Sequence, residues 1–251
     1  MAIEDISISR NQGVLALGLN RPNKLNAITR EMYSILAREI DSANSDEEIG
    51  AVLIYGEGND FTSGNDLNDF LEHPPSGADS PVWHFLTAIR TCSKPLVAAI
   101  TGRAVGVGVT MLLHCDYVIA GKSSKLSMPF VNLGLVPEAG SSYLLPLIAG
   151  HHRAAEMFML GEVFSAQRGY EAGFINEVLD DEEIAVRAGE RAKQLADQPR
   201  SAMRQTKRLL RQAHQKQLMA VMDEEAQLFS AALESDEART AFMNFLMKKG
   251  R

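Results

Sequence analysis

A carboxylate set in an apolar stretch can move protons near neutral pH. Glu138 is the only formally charged residue between Leu126 and Gly150, with Leu133, Leu135, Val136, Tyr143, Leu144 and Leu145 near it in sequence. Desolvation disfavours its charged form and raises its pKa. That brings it towards the range where a base that must also return its proton works best. The same glutamate precedes a helix expected from Ser141, where an acid complements the helix dipole, so a capping role is also open. A second chemistry needs backbone donors. Phe61-Thr62-Ser63-Gly64-Asn65-Asp66-Leu67 and Gly102-Arg103-Ala104-Val105-Gly106-Val107-Gly108 each follow a strand-like run and precede a helical pattern. Free N–H groups at such turns can point at one anion, and two donors from two turns can form an oxyanion hole. The glycines serve equally well in tight turns and close packing, which is their commoner use. Other signatures are absent: there is no GxGxxG, P-loop, GxSxG, CxxC or HExxH pattern. His151-His152 reads as an exposed pair at a helix start, not a metal site.

The elements that must position these groups alternate in type. Ile3 to Ile8 and Val14 to Leu19 alternate as strands across a break at Gly13, and could form a hairpin. Thr29 precedes a helical pattern that runs through Ile40, with Met32, Ile35, Leu36, Glu39 and Ile40 at helix spacing. Ala51–Tyr55, Leu96–Ile100 and Tyr117–Ala120 are short apolar runs that read as buried strands. Pro81–Arg90 and about Gly106 to His114 read as helices, and His73 to Asp79 as a loop. This alternation is that of an α/β fold with crossover connections. After about Gly150 the pattern becomes mostly helical: His151–Leu160, Ser165–Glu171, Asp181–Ala196, Ser201–His214 and Leu218–Leu246. The expected organisation is an α/β core over 1–195 and a helical region over 196–251.

The 251 residues carry 25 Lys+Arg against 32 Asp+Glu, a formal net charge of −7, with 45% hydrophobic residues. This is ordinary soluble composition. The acidic balance argues against bulk nucleic-acid binding, which relies on Lys and Arg neutralising phosphates. No apolar run approaches the roughly 18 residues of a membrane span. The start MAIEDISISR has no signal-peptide pattern. Two cysteines, Cys92 and Cys115, are too few for a disulfide framework. A reducing, cytoplasmic location is expected.

Four stretches in this order and spacing resemble the enoyl-CoA hydratase/isomerase family, the crotonase superfamily. They are residues 19–27 (LNRPNKLNA), 61–67, 102–108 and 133–140 (LGLVPEAG), followed by Gly161–Ala166 and Ala172–Val178. The resemblance implies a spiral of ββα units with a helical C-terminal region that trimerises, as a homotrimer or hexamer. It implies that the backbone N–H groups of Asn65 and Val107 hold the thioester oxygen of an acyl-CoA. Neither role depends on the side chain. Ser63, Gly64, Asp66 and Leu67 would pass close to the CoA adenine and pantetheine, with Ala27 giving a backbone contact. Lys24 would lie near the CoA phosphates, or equally be a solvated surface lysine. Trp83, Phe85 and Phe130 could line the acyl channel, though core packing is the commoner role for any one of them.

The family hosts several chemistries, so its acid/base positions must discriminate. The two glutamates of typical hydratases fall on Thr110 and Phe130, neither of which is a general base near neutral pH. Glu138 remains. The forms Ser63–Leu67 and Pro137–Tyr143 resemble the Δ3,Δ2-enoyl-CoA isomerase branch, in which a glutamate at this position is the catalytic base. The expected reaction is a double-bond shift from 3-enoyl-CoA to trans-2-enoyl-CoA without metal or cofactor, CoA being part of the substrate. Weak hydration, thioester hydrolysis and a silent CoA-binding protein are the alternatives. The C-terminal Lys248-Lys249-Gly250-Arg251 is not the targeting tripeptide of peroxisomal members, which suits a bacterial cytoplasm.

Overall fold

The computed structural model describes residues 5–75 and 80–249. Strands β1 (Ile6–Asn11) and β2 (Val14–Leu19) pair antiparallel around the Gln12-Gly13 turn. β2 continues in parallel through β3 (Ala51–Gly56), β4 (Leu96–Ile100), β6 (Tyr117–Gly121) and β9 (Glu177–Leu179), giving a six-stranded sheet in the order β1-β2-β3-β4-β6-β9. A second sheet, β5-β7-β8, joins Arg103–Val105, Lys125–Ser127 and Phe164–Ser165. An isolated bridge between Thr62 and Ala104 extends this small sheet towards β3.

β4 is buried along its whole length, as a central parallel strand covered on both faces should be. Leu96, Ala98 and Ile100 enter the main core with α1 (Arg30–Ser45) and α3 (Pro81–Thr91), which pack together. Ala99 and Ile119 point the other way, onto Ile184 and Ala188 of α8 (Ile184–Ala196). α1 starts where the Thr29 hydroxyl accepts the Met32 N–H at 3.3 Å, and buries Met32, Tyr33, Leu36 and Ile40 at helical spacing. The remaining helices of the core are α2 (Leu67–Glu72), α4 (Val107–Thr110), α5 (Ser141–Ala149), α6 (His151–Ala155) and α7 (Ala166–Ala172).

The C-terminal helices α9 (Arg200–Gln212), α10 (Gln215–Leu233) and α11 (Asp236–Lys249) fold back onto this body. Buried Lys207 of α9 donates to Asp116 and to the Lys94 carbonyl, both at 2.6 Å. Phe229 of α10, with Ala238 and Phe242 of α11, enters the main core.

The structure changes several expected bounds. Ile3 and Ser76–Asp79 lie outside the described residues, and the first strand runs Ile6–Asn11. The helix expected over Gly106–His114 is α4 followed by a 3-10 turn, Met111–His114. His151–Leu160 is α6 followed by a π-helical turn. Leu218–Leu246 divides into α10 and α11 at Ser235, whose hydroxyl accepts the Ala238 N–H. Among the described residues, no helix is long and apolar enough to cross a membrane.

Candidate active site

Two glycine turns meet at the edge of the small sheet. Thr62 N–H donates to the Arg103 carbonyl at 2.9 Å, and Val105 N–H to the Thr62 carbonyl at 3.1 Å. A Cβ on Gly64 (φ +88°) would lie 2.9 Å from the Val105 oxygen, and one on Gly108 would lie 2.5 Å from Thr62 Cγ2. The turns carrying Asn65 and Val107 are therefore in direct contact, at a spacing only glycine permits. Asn65 N–H faces away from its bridge to Ile28, whose two bonds use Gly64 and Asp66. Val107 opens α4, so its N–H has no intrahelical acceptor. Among the described residues no hydrogen bond takes either amide.

Both residues line a cavity of about 1380 Å³. Lys24, Ala27, Ser63, Gly64, Asp66, Leu67 and Phe130 line it too, so most of the expected site residues come together. Lys24 is exposed there. Exposed Arg103, ion-paired with Asp60 at 3.4 Å, is a second cation at the cavity that no sequence pattern had marked. Asp66 has a structural task as well. It caps α2 through the Asn68 and Asp69 N–H groups and accepts from Arg21 at 2.9 Å. Burial alone would raise its pKa, but the Arg21 and backbone bonds hold it below the usual carboxylate value.

Trp83 and Phe85 are not among the lining residues. Phe85 is fully buried against Tyr33, with ring centroids 5.3 Å apart, and Trp83 packs edge-on against Phe229. The apolar wall is instead Phe130 with Phe70, Leu133, Leu135, Phe229 and Phe242. The last two come from the C-terminal helices, which a local sequence pattern cannot bring to a distant cavity.

Glu138 is 3% exposed and lies in the protein interior, not on the cavity surface. Thr110, the last residue of the helix that Val107 opens, donates its hydroxyl to Glu138 Oε1, while Oε2 has no partner among the described residues. Burial raises the carboxyl to a pKa of about 8; the Thr110 bond lowers it and the Glu225 charge raises it. Tyr33, also buried, feels the Glu138 charge and donates to the Asn65 side-chain oxygen. The carboxyl is thus hydrogen-bonded to the helix that Val107 opens, through Thr110, while its charge is felt by the tyrosine that holds the Asn65 side chain. Residues 138–141 form a left-handed turn. Ala139 has φ +64° and Gly140 φ +69°, and Ser141 N–H returns to the Glu138 carbonyl at 3.1 Å.

Residues 9–250 match the family described as enoyl-CoA hydratase/isomerase. The chain belongs to the enoyl-CoA hydratase/isomerase family. Human enoyl-CoA delta isomerase 2 is 34% identical over 99% of this chain, which spans 64% of the length of that relative. The 1,2-epoxyphenylacetyl-CoA isomerase of Escherichia coli K12 is 35% identical over 95% of this chain and 94% of its own. The crystal structure of an enoyl-CoA hydratase/isomerase from Pseudoalteromonas atlantica T6c is 40% identical and covers 98% of each chain with a TM-score of 0.93. The two sheets and their helices are therefore the crotonase fold of this enoyl-CoA hydratase/isomerase family. Within that fold, sequence reasoning missed Tyr33, His114 and Glu225 around the carboxyl. Tyr33 and His114 look like ordinary members of apolar runs, and Glu225 sits in Asp223-Glu224-Glu225, which reads as a solvated helix face.

Proposed function

We propose that this family member is a Δ3,Δ2-enoyl-CoA isomerase. The observation that carries the reading is one buried carboxyl, Glu138, with Thr110 and not a second acid as its hydrogen-bond partner. The Asn65 and Val107 amides polarise the thioester carbonyl of a 3-enoyl-CoA. Glu138, as carboxylate, takes a proton from C2. The electron pair moves into a dienolate whose oxygen the two amides hold, each such donor being worth about 3 kcal/mol in the transition state. The protonated Glu138 returns the proton at C4 and leaves trans-2-enoyl-CoA, so protons balance and no redox cofactor or metal is required. Lys24 and Arg103 suit the phosphates of CoA. Because Glu138 is sealed, the acyl chain must displace part of the wall to reach it, and Leu135 and Leu133 are the wall residues nearest to it in sequence. The exposed apolar side chains Leu147, Met159, Leu160 and Val163 suit an interface between copies of the chain, as a trimer would have.

The test is a panel of acyl-CoA thioesters. 3-Hexenoyl-CoA should be converted to a conjugated product, seen as a rise in ultraviolet absorbance. Crotonyl-CoA should gain water slowly or not at all. Fast hydration of crotonyl-CoA would favour the hydratase, thioester cleavage a hydrolase, and binding with no turnover a silent CoA-binding protein.

A further inference from the structure

The peptide group between Ala139 and Gly140 is held at both ends by side chains from elsewhere in the chain. His114 Nε2 donates to the Ala139 carbonyl oxygen at 2.7 Å. Burial keeps this imidazole neutral, with a pKa of about 4; the carbonyl oxygen can only accept, so the neutral ring carries its hydrogen on Nε2. At the other end, Gly140 N–H donates to Glu225 Oε2 at 2.5 Å. The second Glu225 oxygen accepts the Ser142 N–H at 3.0 Å and the Ser142 hydroxyl at 2.5 Å. Glu225 is 6% exposed and belongs to α10. A Cβ on Gly140 would lie 2.3 Å from Leu218 Cδ1 and 3.0 Å from Met222 Cγ, so α10 lies directly on the turn.

The clamped unit is costly to hold. Ala139 and Gly140 are both left-handed, a conformation that an alanine adopts only when its surroundings over-determine it. The residue before them is Glu138. A turn free to relax would change where that carboxyl sits relative to Thr110 and the two oxyanion amides. We infer that Glu225 is a positioning residue for Glu138: α10, when docked, fixes the Ala139–Gly140 peptide from its N–H side as His114 fixes it from its carbonyl side. The inference rests on the reading of Glu138 as the base. It ties the chemistry to the C-terminal helices, which otherwise only wall the cavity.

The alternative is an ordinary charged cap on α5, for which any carboxylate near the helix start suffices. Two conservative substitutions separate the two. Glu225→Gln keeps the length and one acceptor for Gly140 N–H but loses the charge. Glu225→Asp keeps the charge but falls one methylene short of the amide. Turnover of 3-hexenoyl-CoA and binding of hexanoyl-CoA are measured for both, beside wild type and Glu138→Gln, with rates corrected for the bound fraction. The clamp predicts kcat within about threefold of wild type for Glu225→Gln and about 10- to 100-fold lower for Glu225→Asp, with KM and the hexanoyl-CoA Kd little changed. It also predicts faster hydrogen exchange at the Gly140 amide in Glu225→Asp, a readout that needs no turnover. If Glu138→Gln is inactive while Glu225→Asp keeps wild-type kcat or exceeds Glu225→Gln, the clamp is overturned and the base stands. If Glu138→Gln keeps full activity, the reading of Glu138 is overturned, and unchanged Gly140 exchange in Glu225→Asp would overturn the clamp separately.

Discussion

At the scale of single residues, Glu138 sets two pH dependences of opposite sense. In the proposed mechanism the base acts as a carboxylate, so kcat/KM should rise with pH through a midpoint near 8, the pKa that burial gives it. Stability should move the other way. The folded state keeps the proton up to about 8, while the unfolded chain loses it near 4.5. Between those values the unfolded state binds fewer protons, and this group's contribution falls by roughly 1.4 kcal/mol per pH unit. Glu138→Gln should remove that slope, so the wild-type-minus-variant difference in denaturant unfolding should decline from pH 5 to pH 8 and flatten above. Thr110 tunes the same group from the other side. Thr110→Val removes a bond that lowers the carboxyl pKa, so the midpoint of the rate profile should move above that of wild type, with several-fold less activity at pH 7 that returns on raising the pH. The carboxyl's apolar setting was legible in the sequence because its neighbours along the chain are apolar. Its surroundings were not, since Thr110, which bonds to it, and Tyr33 and Glu225, which interact with it electrostatically, come from three separate helices.

At the scale of elements, the two amides depend on two glycines. Gly64→Ala places a side chain at φ +88° and 2.9 Å from the Val105 oxygen, which must push the turns apart. The strain should cost on the order of 1–3 kcal/mol of stability. Moving one of the two amides proposed to form the oxyanion hole by a fraction of an ångström to one ångström should lower kcat about 100-fold, read in the same isomerase assay with KM as a control. The long elements were readable from pattern alone. α1 shows its buried face at helical spacing, and β3, β4 and β6 are apolar runs bounded by breaks. β5 and β7, only three residues each, are too short to carry a period, yet they bring Thr62, Ala104 and Ser127 together beneath the site. α4 is likewise a single turn, whose value lies in one unbonded N–H.

For the whole molecule, the helical C-terminal region does more than follow the core. Lys207 locks α9 to Asp116, Glu225 reaches the Glu138 turn, and Phe229, packed on Trp83, completes the apolar wall with Phe70 and Phe130. The change from α/β to helical character after Gly150 was visible in sequence, but long-range packing of this kind leaves no local signature. Phe229→Ala should cost about 3–5 kcal/mol in denaturant unfolding. It should also lower the KM for longer acyl chains relative to hexenoyl-CoA, because it widens the wall. The central claim is that a single glutamate moves the proton from C2 to C4. Its most direct test is kcat for 3-hexenoyl-CoA in wild type and Glu138→Gln, with the hexanoyl-CoA Kd measured on the same preparations. The account predicts conversion by wild type, a loss of at least about 100-fold in the variant, and a Kd that is nearly unchanged. Undiminished turnover in Glu138→Gln would contradict it.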